Sequence, residues 1–189
     1  MAMKRVLACL LTAALVAAGG VGASMLAPRE AGAALVKVKT CGGGTIELNA
    51  YEKRVLEFHN RARNKHGLKT LCVNVALTKA ARAHSQEMLD KDYASHNSFS
   101  GETVGGRLKR FGYTSSGCSY YLIGENIAWG CGSRGAPDYI FKWWMNSKYH
   151  RSNILNKNFR EVGIGVRGGK FKTCKQARTY TVDFGTRRR

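Results

Sequence analysis

From Tyr51 onward, apolar residues recur at the 3.6-residue spacing of an amphipathic helix. Tyr51, Val55, Phe58 and Ala62 share one stripe, with His59 beside it. Asn49 followed three residues later by Glu52 reads as a capping box, and Gly67 as a C-terminal stop. The spacing predicts a helix of about four turns between them. A second helix is expected to open at Thr78, where Ala81, His84, Met88 and Leu89 fall on one face. His84 then reads as a packing histidine. The polar run Asp92–Asn97 ends this helix in a loop. Thr103 caps a short third helix through Val104, Leu108 and Phe111, closed by Gly112. Gly105 and Gly106 each weaken it by about 1 kcal/mol relative to alanine. Pro137 suits the first turn of a fourth helix, with Asp138 well placed for its dipole. Its stripe is Ile140, Phe141, Trp144 and Met145, and it should end near Ser147. A brief helical turn is expected from Arg151 to Leu155.

The strand signals come mostly later. Leu71–Val75 reads as a connector and 113–123 as a loop. Gly124–Gly130 alternates as a short strand would. In Val162–Val166 apolar side chains alternate with glycines, leaving one face bare for close backbone contact. In Tyr180–Phe184 the aromatic and valine positions are expected to face in, with Thr181 and Asp183 facing out. Helices first and strands last, with no internal repeat, predict an α+β fold with an antiparallel sheet flanked by helices.

The first 33 residues change the compartment. Lys4 and Arg5 precede an apolar run from Val6 to Val21, and Ala31-Gly32-Ala33 resembles a cleavage site. Residues 1–33 therefore read as a secretory signal peptide. Residues 34–48 read as a flexible linker, 49–186 as the domain and 187–189 as a basic tail. No second apolar span follows, so the mature chain is expected to be secreted and to lack a transmembrane segment. Five cysteines remain after residue 33, in a setting where disulfides form. Cys118 and Cys131 are the easiest pair to join; Cys72 with Cys174 is the second choice, leaving Cys41. Spacing does not determine the connectivity, and the odd count leaves one thiol over.

Charge narrows the partners. Thirty-one basic and 12 acidic residues give a formal +19. Setting aside residues 1–33 leaves +17. Such a surface favours anionic envelope components or acidic lipids. Nucleic acid fits on charge alone, but no recognised binding motif supports it.

Chemistry concentrates in residues 142–155, where Trp143, Trp144 and Met145 precede His150. A rigid anchor followed by a titratable ring is a natural wall for a site. Phe58-His59-Asn60-x-x-Arg63, Ser95-His96, Gly124-Glu125-Asn126-Ile127, Trp144-Met145-Asn146-Ser147, His150-Arg151-x-Asn153-Ile154-Leu155 and Val162–Val166 occur in an order that resembles the CAP superfamily. This is the cysteine-rich secretory, antigen 5 and pathogenesis-related-1 group, here in its single-domain secreted bacterial form. The resemblance covers about residues 49–185. It implies a three-layer α-β-α sandwich with a mainly antiparallel central sheet, and a cleft lined by His96, Glu125 and His150. Where eukaryotic members carry a second glutamate, this chain has Asn146.

Each residue also has a plain structural reading. His96 suits an exposed loop, Glu125 a turn, and His150 the start of a helical turn. If the cleft forms, His96, His150 and Glu125 make a candidate site for zinc or a similar divalent cation. The resemblance then implies a secreted binding module for a cation or a small or lipid ligand. The alternative it implies is a metal-dependent, peptidase-like hydrolase. No base, oxyanion donor or nucleophile motif accompanies the three residues.

Overall fold

The computed structural model describes residues 35–188; the predicted signal peptide lies outside them. Two short strands, β1 (Val36–Lys39) and β2 (Thr45–Leu48), form an antiparallel hairpin. The segment read as a flexible linker is therefore ordered. A Cys41–Cys72 disulfide ties it to the domain, and Thr40 bridges Val73. The helix α1 (Ala50–Lys65) follows, with the predicted capping box formed in both directions. Next come β3 (Cys72–Val73), α2 (Val75–Asp90) and α3 (Val104–Arg110), then β4 (Tyr120–Cys131). A 3₁₀ turn at Gly132–Gly135 leads to α4 (Pro137–Asn146) and α5 (Lys148–Ile154). The chain closes with β5 (Glu161–Phe171) and β6 (Cys174–Arg188).

Local signals located the helices well, with two corrections: α5 starts at Lys148, three residues before the turn expected at Arg151, and α2 starts earlier than Thr78. The α2 N-cap is Asn74, whose side chain accepts from the Leu77 amide, while Thr78 Oγ1 donates to the Asn74 carbonyl. Both residues are good caps; the parallel pairing of β3 with β5 places Asn74 at the helix start. The strands run longer than their apolar cores. β4 takes in Tyr120–Ile123, read as loop, and β6 extends through Arg187 and Arg188, read as tail.

The sheet order is β3-β5-β6-β4, antiparallel except at β3–β5. Side chains alternate across it. Val162, Ile164, Val166, Tyr180, Val182 and Phe184 face α1, α4 and α5 and form the main core with Val55, Ile140 and Trp144. His59 is sealed in this layer, and burial pushes its imidazole down to about 4. The opposite face packs on α2 and α3. There the bare glycine face does what its pattern predicted. A methyl on Gly163 would lie 2.0 Å from the Leu77 carbonyl carbon, and one on Gly165 2.3 Å from the Ala81 oxygen. Because both obstacles are backbone, relief requires moving α2 off the sheet. Gly165→Ala is expected to destabilise the fold by about 2–3 kcal/mol, seen as a lower urea midpoint at unchanged slope.

This second layer overturns one expectation. Thr181 and Asp183, read as facing solvent, are fully buried beneath α2 and α3. The disulfides also differ from the expected pairing: Cys131 joins Cys174, and Cys118 is free and half-buried. The β4–β6 pairing carries Cys131 beside Ala177, at the end of the sheet where β6 begins with Cys174.

Candidate functional site

Alternation decides which side chains meet at the β4 edge. Glu125 pairs with Asp183 and Ile127 with Thr181, so Glu125 lies on the α2–α3 face. Its carboxylate is nearly buried and both oxygens are engaged. Oε1 meets His96 Nδ1 at 2.7 Å, and Oε2 accepts from Arg107 Nη2 at 2.5 Å. Arg107, itself 1% exposed, also donates to Ser98 Oγ and the His96 carbonyl. One guanidinium therefore neutralises the carboxylate and holds the loop that presents His96. Sequence reasoning missed Arg107; the available signal was an arginine beside Leu108 on a helix that could not leave it in water.

Asp183 was missed as a site residue for the same reason. Neither carboxyl oxygen receives a hydrogen bond from a described donor. Burial foremost, then the neighbouring Glu125 charge, push its carboxyl well above the ordinary aspartate range, against the pull of Arg107. Asp183 thus holds its proton to higher pH than an ordinary aspartate does, beside Glu125. A carboxyl raised in the folded state costs stability as pH rises past the unfolded aspartate value, because only the unfolded chain gains by ionising. Asp183→Asn, neutral at every pH, is expected to be more stable than the parent at pH 7 by on the order of 1 kcal/mol. The gain should shrink below about pH 4, measured by urea unfolding at both pH values.

The other wall is built by α4 and α5. His150 Nδ1 lies 2.8 Å from Ser147 Oγ, and the His150 carbonyl accepts from Asn126 Nδ2 at 3.0 Å. Asn153 Nδ2 bridges the Glu125 carbonyl and Asn126 Oδ1, locking α5 onto β4. The Trp143 ring lies 4.9 Å from that of His150. The two histidines feel one another across the strand edge. Burial, and then the charge on His96, lower His150, whereas the hydrogen bond to Glu125 raises His96. His96's contribution to stability is complete below about pH 6.5 and is lost as pH rises through its own higher value. His150 acts oppositely, weakening the fold as pH falls past the same reference. Histidine NMR titration should place His96 above and His150 below an unperturbed imidazole.

His96 and Glu125 thus meet at the β4 edge, and His150 stands on the facing wall, tied to β4 through Asn126. Asn146 does not join them: it ends α4, is exposed, and makes no hydrogen bond with the three among the described residues. Nor do the described residues contain three His, Cys, Asp or Glu side chains grouped to hold a metal ion. Glu125, occupied on both oxygens, is an orienting group and not a ready third ligand. With Nδ1 of each imidazole turned to Glu125 or Ser147, the two Nε2 atoms have no protein partner among the described residues. A carboxylate behind a ligating imidazole is a common outer-shell arrangement.

Next to this cleft runs a groove of about 490 Å³ lined by Ile127–Cys131 of β4, by Tyr139, Ile140 and Trp143 of α4, and by Ala94, Arg134 and His150. Its aromatic rims are partly exposed, Trp129 by 40% and Trp143 by 49%. No helix among the described residues is long and apolar enough to cross a membrane.

The comparisons agree with this architecture. Bacillus subtilis YkwD, named an uncharacterized protein, is 42% identical over 136 residues, 72% of this chain and 50% of its own. The uncharacterized membrane protein YlbC of the same organism is 32% identical over 61% of this chain and 31% of its own. The chain therefore spans half or less of the curated relatives it matches. An extracellular SCP-domain protein from Bacillus anthracis shares the fold over 74% of this chain and 40% of its own, with 29% identity and a TM-score of 0.58. An outer surface protein of Borrelia burgdorferi, at 21% identity, shares the fold over 82% of this chain and 100% of its own, with the same TM-score. The cysteine-rich secretory protein family, CAP, matches residues 56–184, more than half of the chain. With the α-β-α layers in their expected places, this chain belongs to the CAP family.

Proposed function

We propose that this protein is a binding module acting outside the cell, whose cleft takes a divalent cation or a small polar ligand between His96 and His150. The observation that carries this reading is the pair of imidazoles anchored through Nδ1, by Glu125 and by Ser147, with both Nε2 atoms unpartnered among the described residues. His96 and His150 would hold the cation. Glu125 would stay behind His96, neutralised from its far side by Arg107. A bound cation would supply a Lewis-acidic point for an oxygen of the ligand. Binding it requires His96 to shed its proton, so affinity should fall as the solution is acidified.

The location outside the cell rests on the signal-like first 33 residues and on the two disulfides, which form and persist in oxidising compartments. The extracellular and outer-surface descriptions of two structural relatives agree with it. The strongly basic composition would draw the domain to anionic envelope components or lipid headgroups.

Titration calorimetry of Zn²⁺ into the folded chain at about pH 7.5 and about pH 5.5, either side of an ordinary imidazole value, tests the cleft. Heat at the higher pH, reduced at the lower and lost in a His96→Ala/His150→Ala variant, is the expected result. No heat at either pH, together with an unchanged thermal midpoint, would remove the cation from this reading.

A further inference from the structure

The groove beside the cleft runs along a sheet edge that β4 leaves open, and the backbone there is set for pairing. β4 has one strand neighbour among the described residues, β6. In an antiparallel ladder a residue's N–H and C=O point to the same side, and successive residues alternate. The Glu125 carbonyl accepts from Asn153 Nδ2 and the Ile127 carbonyl from Trp144 Nε1, both on the side away from β6. Odd-numbered residues of β4 therefore turn their backbone groups outward. The register with β6 is unbroken from Tyr120 to Cys131, so Trp129 does the same. Its N–H and C=O, and the N–H of Ile127, have no hydrogen-bond partner among the described residues. These are the groups that border the groove.

From this geometry we infer that the groove captures an extended, apolar and acidic peptide segment by adding it as a strand to the β4 edge. Three observations select that occupant. An aliphatic chain lying there would desolvate the Trp129 amide and carbonyl without replacing their hydrogen bonds, a loss that disfavours a lipid tail. An extended peptide returns both bonds, and its alternate side chains fall on opposite sides of the new strand. On one side stand Tyr139, Ile140 and Trp143 of α4; on the other stands Trp129, whose ring packs on Phe171 with Lys172 5.5 Å above it. Apolar side chains suit these walls. The acidic character follows from charge complementarity: Arg134 lines the groove, no lining residue is acidic, and the chain as a whole carries +19. Open, flat strand edges are usually covered or blunted with charge. Here side chains cap the edge at 125 and 127 and leave it open at 129.

This inference goes beyond the proposed function and stands without it, since the groove shares only His150 with the cation cleft. The probe is a random heptapeptide phage library panned on the purified chain, followed by calorimetry of the best synthetic peptide and of its single N-methyl analogues. Enriched peptides should combine apolar or aromatic residues with at least one acid. Methylating every second backbone amide should weaken binding tenfold or more, with little effect in between. In the protein, Trp129→Pro deletes the outward N–H at an edge position where proline is tolerated. Trp129→Ala deletes the ring and keeps the N–H. The proline variant should bind the peptide at least fivefold more weakly than the alanine variant, with circular dichroism confirming that both are folded. No enrichment above background overturns the proposal, as does an N-methyl scan without a two-residue period. Saturable binding of a fluorescent fatty acid that quenches Trp143, with no peptide enriched, would assign the groove to a lipid instead. The N-methyl scan keeps the test decisive if Trp129→Pro does not fold. Zinc calorimetry on the same sample reads the cleft separately.

Discussion

Arg107→Met is expected to cost about 3–5 kcal/mol, the penalty for stranding one member of a buried ion pair. Methionine keeps most of the stem, so packing changes little and the loss reports the guanidinium. Glu125 would remain nearly buried, with Asp183 beside it and only the half-exposed His96 to balance it. Ser98 Oγ and the His96 carbonyl would lose their donor too. The prediction has a second reading in the site. Once the loop at 96–98 is released, His96 should lose its fixed orientation, so its NMR titration should move toward that of a free imidazole. Pairing the change with Glu125→Gln should recover part of the loss, because the two residues do not contribute independently. Urea unfolding of the two single variants and the double one measures the coupling. A cost under about 1 kcal/mol for Arg107→Met, the range of an exposed pair, would show that Glu125 does not depend on this arginine.

Trp144→Ala should fall in the same range, about 3–5 kcal/mol, the usual cost of truncating a buried aromatic. Trp144 has no exposed surface, sits edge-on to His59 at 5.8 Å and to Tyr180 at 6.2 Å, and donates Nε1–H to the Ile127 carbonyl at 3.1 Å. Truncation empties the space between α1, α4 and the sheet. It also frees the helix pair that carries Ser147 and His150. Trp144→Phe separates these effects: it largely keeps the fill, removes the donor, and should cost about 1–3 kcal/mol. In the alanine variant the His150 resonance should broaden or move, while His96, held from the other layer, should not. Equal disturbance of both histidines would mean that the two walls of the cleft are not positioned separately.

These outcomes bear on how the chain was readable. Signals acting within three or four residues were legible: Pro137 starts α4, and the Asn49–Glu52 box and the Thr103 cap on Gly106 both formed as their spacing predicted. So did the glycine face of β5, because an absent side chain signals close approach whatever approaches. Where two local solutions competed, as Asn74 and Thr78 did for the α2 cap, the neighbouring strand pairing chose between them.

What the amino-acid order alone determined, then, was the approximate position of the helices and the fold class. Tertiary structure alone decided which side chains meet. Asp183 reads as a solvent-facing strand position until α2 and α3 cover that face, and burial then favours its neutral form. Arg107 reads as one more surface cation until Glu125 arrives from a strand 18 residues later. Cys131 finds Cys174 only because β4 and β6 share a register, and the same register turns the Trp129 backbone outward. The physical reason is common to all four. Burial, ion pairing, disulfide geometry and edge exposure depend on which segments become neighbours, and that choice is made by packing the whole sheet between its two helical layers.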